Sequence, residues 1–441
     1  MILSRSIPLS QLHEERPHEA QPSAEYRVPM SCLEIGVECR IDSFQQGVGT
    51  AILSLARALC DLPSQTERYT FILFEDHREL FKDLPSDRAT VLSVPRPAAS
   101  AMKGRLSRIA ALRTGWRIAR AAFGPLPASD GLVEDHRFDV VHFPTQVGYL
   151  TRTPSIYQPW DLQHIHLPQF FSRDVRIWRN RVYKAMCHQA KFVSVQTEWG
   201  KQDLVCQYGI DANKIEVIPW GSSLGAYPQP GESDREATRK RYGLPNGFLF
   251  YPAVTWPHKN HELAIRALAE LKQHGDEIFL VCTGDRTERY PYLTALAQEY
   301  GVSDRVRFLG FVTPVELRAI YSLATAMIFP SKFEGFGLPL LEAFQAGLPV
   351  LCSRATVLPE VAGDAALFFD PDDPQEATLA IQKLISMPEL RSEMVQRGYA
   401  RATVLTVSKT AEQFRDLYRR AARIAKSNSE AVSTAHSGRK H

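Results

Sequence analysis

The 441-residue chain contains no run of 18 uninterrupted apolar residues, so no segment of it reads as a membrane-spanning helix. Its opening, MILSRSIPLSQLHEERPHEA, lacks the apolar stretch of a secretory leader, and the protein is expected to stay in the cytoplasm. Net charge is also scarce: +3 is too little to argue for a nucleic-acid partner. Paired cysteines are missing too. Cys32, Cys39, Cys60, Cys187, Cys206, Cys282 and Cys352 are scattered, odd in number and without a CxxC spacing, and several lie in apolar runs such as Leu280-Val281-Cys282. They read as small buried hydrophobes in a reducing compartment, neither a disulfide framework nor a zinc site. No internal repeat is present.

What is there is an alternation of short strands and helices. Residues 1–28 are rich in Pro, Glu, His and Ser and are expected to be a flexible lead-in. A first domain then spans 29–220, with strands expected at 32–37, 69–74, 139–143, 192–195 and 215–218 and a helix at 51–59. Pro, Gly, Ser and charge crowd together over 221–245, which reads as an interdomain linker. A second domain, 246–405, restarts with strand 248–251 and helix 261–273. It continues with strand 278–283, helix 292–300, strand 306–309, helix 314–323, strand 326–329, helix 339–346 and strand 349–352. A helix over 406–425 carries Phe414, Leu417, Tyr418 and Ala421 on one face, and the tail 426–441 reads as disordered. Strands alternating with helices imply α/β domains with parallel sheets, whose ligands sit at the carboxyl ends of the strands.

The segment Phe329-Pro330-Ser331-Lys332-Phe333-Glu334-Gly335-Phe336-Gly337-Leu338-Pro339-Leu340-Leu341-Glu342 takes a strand into a Gly-rich loop and then a helix. Pro339 suits the first helical position. Amides of the loop and first turn would form an anion site for a diphosphate, and Gly335 and Gly337 would let the backbone approach a ligand. Glu342 is expected in the first helical turn. Two carboxylates beside an anion site make sense as acceptors for hydroxyls, one on a ribose and one on a sugar. Alone, the pair is weak, because a loop glutamate and a helix-terminal glutamate occur in many chains.

The surrounding pattern lifts it. Glu334-x7-Glu342 around Gly335-Phe336-Gly337-Leu338-Pro339, with Ala346-Gly347-Leu348-Pro349-Val350, Leu358-Pro359-Glu360-Val361 and Asp370-Pro371-Asp372-Asp373-Pro374, resembles the signature of retaining glycosyltransferase family 4. The resemblance implies a GT-B fold: two Rossmann-like domains facing across a cleft, with a C-terminal helix returning to the first. It implies Glu334 and Lys259 as catalytic residues, and Glu342, Gly335, Phe336, Gly337, Leu338, Gly47, Gly49 and His258 as donor-binding residues. Trp256-Pro257-His258-Lys259-Asn260-His261 is similar to a form seen in enzymes that build bacterial surface polysaccharides. There Lys259 would neutralise the donor pyrophosphate; many relatives add an arginine where this chain has Ala253. Trp160-Asp161-Leu162-Gln163-His164-Ile165-His166 resembles a family stretch that begins with histidine in place of Trp160. Trp160, Asp161, His164 and His166 are thus expected around the sugar, with the sugar packed on the indole or met by one of the histidines. His164 and His166 also have metal-ligand spacing on an expected strand, but no third ligand is apparent and no metal is expected; Asp370-x-Asp372-Asp373 reads as a turn and helix cap.

The resemblance implies transfer of a sugar from a nucleoside diphosphate to a lipid-linked or growing polysaccharide acceptor, without a cofactor. GDP-mannose is the leading donor, with UDP- and dTDP-sugars as alternatives. A sugar-nucleotide binding protein without transferase activity is the competing reading, motivated by Trp160 and Ala253. Residues 91–129 carry seven cations (Arg96, Lys103, Arg105, Arg108, Arg113, Arg117 and Arg120) and no acid. They imply peripheral contact with the inner face of the cytoplasmic membrane or a lipid diphosphate, against a solvated basic loop.

Overall fold

The computed structural model describes residues 32–44, 47–63, 66–96 and 110–437. The expected lead-in 1–28, Gln46 of the glycine turn, and Lys103, Arg105 and Arg108 of the basic segment lie outside the described residues. The first sheet contains β1 (Leu33–Glu38), β2 (Glu67–Phe74), β3 (Ala89–Val94), β4 (Val140–Phe143), β5 (Ser155–Tyr157), β6 (Phe192–Val195) and β7 (Ile215–Val217), in the order β3-β2-β1-β4-β5-β6-β7. The second contains β8 (Phe248–Pro252), β9 (Phe279–Thr283), β10 (Val306–Gly310), β11 (Ala326–Phe329), β12 (Val350–Ser353) and β13 (Ala366–Phe369), in the order β10-β9-β8-β11-β12-β13. Every pairing between these strands is parallel. Helices cover both faces, so central strands such as Ala326–Phe329 are buried throughout and read as unbroken apolar runs.

Three strands are absent from the sequence expectation. β3 is only partly buried at a sheet edge, β5 has three residues, and β13 has four, two of them only partly buried. Within the expected linker, residues Glu232–Tyr242 form a helix that packs on the helix Pro314–Leu323 of the second domain. It ends at Gly243, whose φ of 56° is the left-handed cap that glycine accommodates.

The last helix, Val407–Ser437, extends into the segment expected to be disordered. Its apolar face returns to the first domain, where Phe414, Leu417, Tyr418 and Ala421 are buried against helix Gly47–Asp61, β4 and β5. The Tyr418 hydroxyl lies 2.9 Å from Nδ1 of the buried His142 on β4. This crossing needs Gly221: a Cβ there would stand 2.0 Å from the Val407 nitrogen.

In each sheet chain order reverses at one point, between β1 and β4 and between β8 and β11. Connections leave such a point in opposite directions and open a crevice at the strand ends. The two crevices locate the cleft.

Candidate functional site between the domains

Lys259 follows β8 and Glu334 follows β11, so the two flank the crevice of the second sheet. They meet there as an ion pair, Lys259 Nζ to Glu334 Oε1 at 2.6 Å, with both side chains mostly buried. Backbone chemistry holds the lysine. The turn Pro257–Lys259 ends at Asn260, whose φ is 57° and whose amide donates to the carbonyls of Pro330 (3.1 Å) and Pro371 (2.7 Å). The buried Tyr251 hydroxyl donates to the Lys259 carbonyl at 2.6 Å. Glu334 is held by Thr356, whose hydroxyl accepts its N–H and donates to its carbonyl, both at 3.2 Å.

The helix expected at 339–346 is Leu338–Gln345, with Pro339 at its second position and Gly337 (φ 91°) as its cap. Glu342 therefore lies in the second turn, a correction to the first-turn expectation. Its carboxylate accepts the Tyr321 hydroxyl at 2.8 Å and the Ser223 hydroxyl; burial raises its pKa, and these hydrogen bonds oppose the rise. The glycines also act differently from the expectation. A Cβ on Gly335 would lie 2.6 Å from the Trp160 carbonyl oxygen, and one on Gly337 would strike Leu340 and Leu358. Gly335 thus admits the backbone of the facing domain, and Gly337 admits its own core. Phe336 is buried and Leu338 packs against that core.

The first domain supplies Asp161 to the same place. Burial raises its carboxyl pKa, the Gln163 N–H and the Arg179 guanidinium pull it down, and the nearby Glu334 charge pushes it up again. Trp160 beside it does not offer its indole to a ligand. It is buried with a φ of 63°, its ring lies 5.1 Å from that of Trp220, and its N–H donates to the Pro144 carbonyl at 2.7 Å. Packing of a sugar on this ring is not what the structure provides.

His164 and His166 sit in a helical turn, Gln163–His166, not on a strand, so their spacing turns them to different surroundings. His164 is buried beside Tyr183 and 3.3 Å from the Tyr208 hydroxyl, and burial lowers its pKa to about 4. His166 faces the cleft, where it meets Asp203 at 2.8 Å and stacks on Phe333 of the other domain. No cluster of three or more metal-ligating side chains occurs among the described residues. His258 is half-buried next to Lys259, and burial brings its pKa to about 3. Asp373 caps the helix Pro374–Ser386 by accepting the Gln375 and Glu376 N–H groups.

Helix Gly47–Asp61 begins at Gly47, earlier than expected. Gly49 is required where a Cβ would lie 2.4 Å from the Phe44 Cα, whereas Gly47 faces open space. In the basic segment Arg96 is paired with Asp76 and Asp42, and Arg117 with Asp174, so neither is a free cation. Trp116 and Phe123 are 61% and 88% exposed on helix Ala110–Phe123. Among the described residues no helix is long and apolar enough to cross a membrane.

Sequence reasoning overlooked Arg179, Tyr321 and Ser223, which no local pattern marks, and it placed Phe333 and Glu360 within the signature without their partners His166, Glu198 and Trp199 in the other domain.

Two parallel-sheet domains facing across a cleft, tied by a returning helix, define the GT-B class. Solved structures share the fold: Anabaena HepE, crystallised with UDP and glucose, superposes with a TM-score of 0.66 at 19% identity over 87% of this chain and 99% of that one. WaaG, a glycosyltransferase of lipopolysaccharide biosynthesis, superposes at 0.60 with 19% identity, over 87% of this chain and 99% of its own. Residues 46–221 match the model for glycosyl transferase 4-like domains and residues 234–401 that for glycosyl transferases group 1. The chain belongs to the family-4-type glycosyltransferases. It is 26% identical to O-antigen chain mannosyltransferase B of Escherichia coli over 58% of this chain and 70% of that protein. It is 28% identical to O-antigen chain mannosyltransferase RfbU of Salmonella typhimurium over 52% of this chain and 60% of that one. A 33% identical match to serotype-specific mannosyltransferase WbdA of Escherichia coli spans only 22% of the latter's length.

Proposed function

We propose that this glycosyltransferase moves mannose from GDP-mannose, with retention at the anomeric carbon, onto a hydroxyl of a lipid-linked or growing polysaccharide. The observation that carries the reading is the Lys259–Glu334 pair at the switch point of the second sheet, opposite Asp161. A departing diphosphate needs stabilised negative charge more than it needs a base. Lys259 is the cation placed for it, with Ala253 leaving no arginine six positions earlier. The incoming phosphates take the ammonium over from Glu334, which frees that carboxylate to accept a sugar hydroxyl. Glu342 accepts a ribose hydroxyl; a carboxylate has about four acceptor sites, and Tyr321 and Ser223 leave room for one more. No cofactor is needed. The mannosyl donor is favoured by the relatives named above. The exposed Trp116 and Phe123 favour peripheral contact with the cytoplasmic membrane surface.

The test is turnover of purified protein with an extracted lipid-linked acceptor. Lys259→Ala and Glu334→Gln should each slow it by roughly 100-fold or more, the scale on which one preorganised charge-stabilising group acts, with both variants still folded by circular dichroism at the assay temperature. Native rates in both variants would remove these residues from the chemistry. Donor choice is read from a thermal-shift screen of GDP-, UDP- and dTDP-sugars, where a ligand at about 100 times its Kd adds about 2.7 kcal/mol. A shift with UDP-glucose and none with GDP-mannose would replace the donor named here.

A further inference from the structure

The helix Glu198–Tyr208 opens toward the cleft from the first domain. Helix starts leave their first N–H groups without partners in the helix. Here Thr197 accepts only the third, from Gly200 at 3.0 Å. The first two go to the other domain: Glu198 N–H donates to Glu360 Oε1 at 2.7 Å and Trp199 N–H to Oε2 at 3.0 Å. A carboxylate receiving two amides at the positive end of a helix is a charge-assisted contact of defined geometry. Its far side is fixed as well, since Arg401 donates to the carbonyls of Glu360 (2.7 Å) and Val361 (2.8 Å). Beside it Phe333, the residue before Glu334, stacks on His166 with ring centroids 5.3 Å apart and meets Trp199 edge-on at 5.8 Å. Val357, Gly335, Asp161, Trp199 and Asp203 line one pocket between these contacts.

We propose that Glu360 is a positioning residue: it docks the 198–208 helix onto the second domain and thereby sets Asp161 against the Lys259–Glu334 pair. The proposal rests on the transferase reading for its kinetic consequence, but not for its structural one. Glu360 touches neither Lys259 nor Glu334 and acts through the domain separation. Glu360→Ala removes both acceptors, and Glu360→Gln keeps one amide oxygen. Glu198→Pro removes one of the donors from the opposite side. Proline is tolerated at a first helical position, and Thr197 before it is already extended at φ −144° and ψ 157°, as a residue preceding proline requires.

The experiment uses the full chain and three readouts: radius of gyration by X-ray scattering, steady-state kinetics, and calorimetric binding of GDP and UDP. Glu360→Ala should enlarge the radius of gyration and lower kcat/KM by roughly tenfold or more, because small misplacements of reacting groups are costly. Nucleotide affinity should stay within about twofold, since Lys259 and Glu342, the groups proposed above for the diphosphate and the ribose, both lie on the second domain, and Glu360→Gln should fall between. Glu198→Pro, which leaves the Trp199 N–H bonded to Glu360, should give a smaller expansion of the same kind and add nothing to Glu360→Ala. An unchanged radius of gyration in Glu360→Ala, or additive losses in the double variant, overturns the proposal. If the native chain transfers from no sugar nucleotide, the transferase reading fails, while scattering on the same variants still decides whether Glu360 holds the domains together.

Discussion

A single methyl group added at Gly335 would sit 2.6 Å from the Trp160 carbonyl oxygen, well inside contact distance. At Gly335 backbone of one domain faces backbone of the other, and the neighbours on either side are Glu334 and the buried Phe336. Neither side can yield easily. Trp160 is locked by its indole hydrogen bond and by Trp220, at a φ that a bulky residue rarely adopts. Gly335→Ala is therefore expected to strain the closed cleft by about 1–3 kcal/mol. The check is kcat/KM, which should fall while the unfolding midpoint of the second domain holds; unchanged kinetics would mean that the interface gives way freely. The glycine itself was visible in the sequence, but its partner was not. Reading it as room for a ligand was reasonable from a loop–helix motif, and only the position of the other domain assigns the space to Trp160.

At the scale of elements, long apolar strands and helices were legible because burial on both faces or on one stripe imposes a period. Helix His261–Gln273, helix Pro314–Leu323 and strand Ala326–Phe329 have the bounds the sequence implies. Short β5 and edge β3 impose none and were missed. Histidines two apart, His164 and His166, looked like one face of a strand, but the sheet ends earlier and a helical turn separates them. The returning helix shows how an element depends on one distant position. Gly221 passes so close to Thr406 and Val407 that any side chain would displace the start of that helix. Gly221→Ala should cost about 3 kcal/mol, the upper range for overpacking, as measured by urea denaturation. A loss under about 0.5 kcal/mol, ordinary for an unconstrained site, would show that the crossing is loose. Tyr418→Phe is the milder companion: losing its bond to His142 should cost about 1 kcal/mol.

For the whole molecule, stability should depend on pH through imidazoles sealed in the cores. His142 and His261 are buried, and burial lowers both pKa values to about 3. The unfolded chain protonates them near pH 6.5, and the folded chain does not until near 3. Their contribution is therefore complete above about pH 6.5 and is lost as pH falls from there, by about 1.4 kcal/mol per unit for each histidine. The raised carboxyls of Asp161 and Glu342 act with the opposite sign, costing stability as pH rises through their values. His164 and His258, lowered to about 4 and about 3, act in the same direction as His142 and His261, so denaturation should show clearly greater stability at pH 7 than at pH 5, and equal stabilities would discard this account. By itself the sequence determined the two α/β domains and the Lys259, Glu334 and Glu342 constellation, because periodic burial and a short loop–helix motif are properties of neighbouring residues. Tertiary structure alone decided that Lys259 pairs with Glu334, that Trp160 turns inward, that Gly335 receives the facing backbone and that Glu360 holds a helix of the other domain. Each of those joins residues far apart in the chain, and nothing local encodes such a distance; it follows from how two sheets and a returning helix close around one cleft.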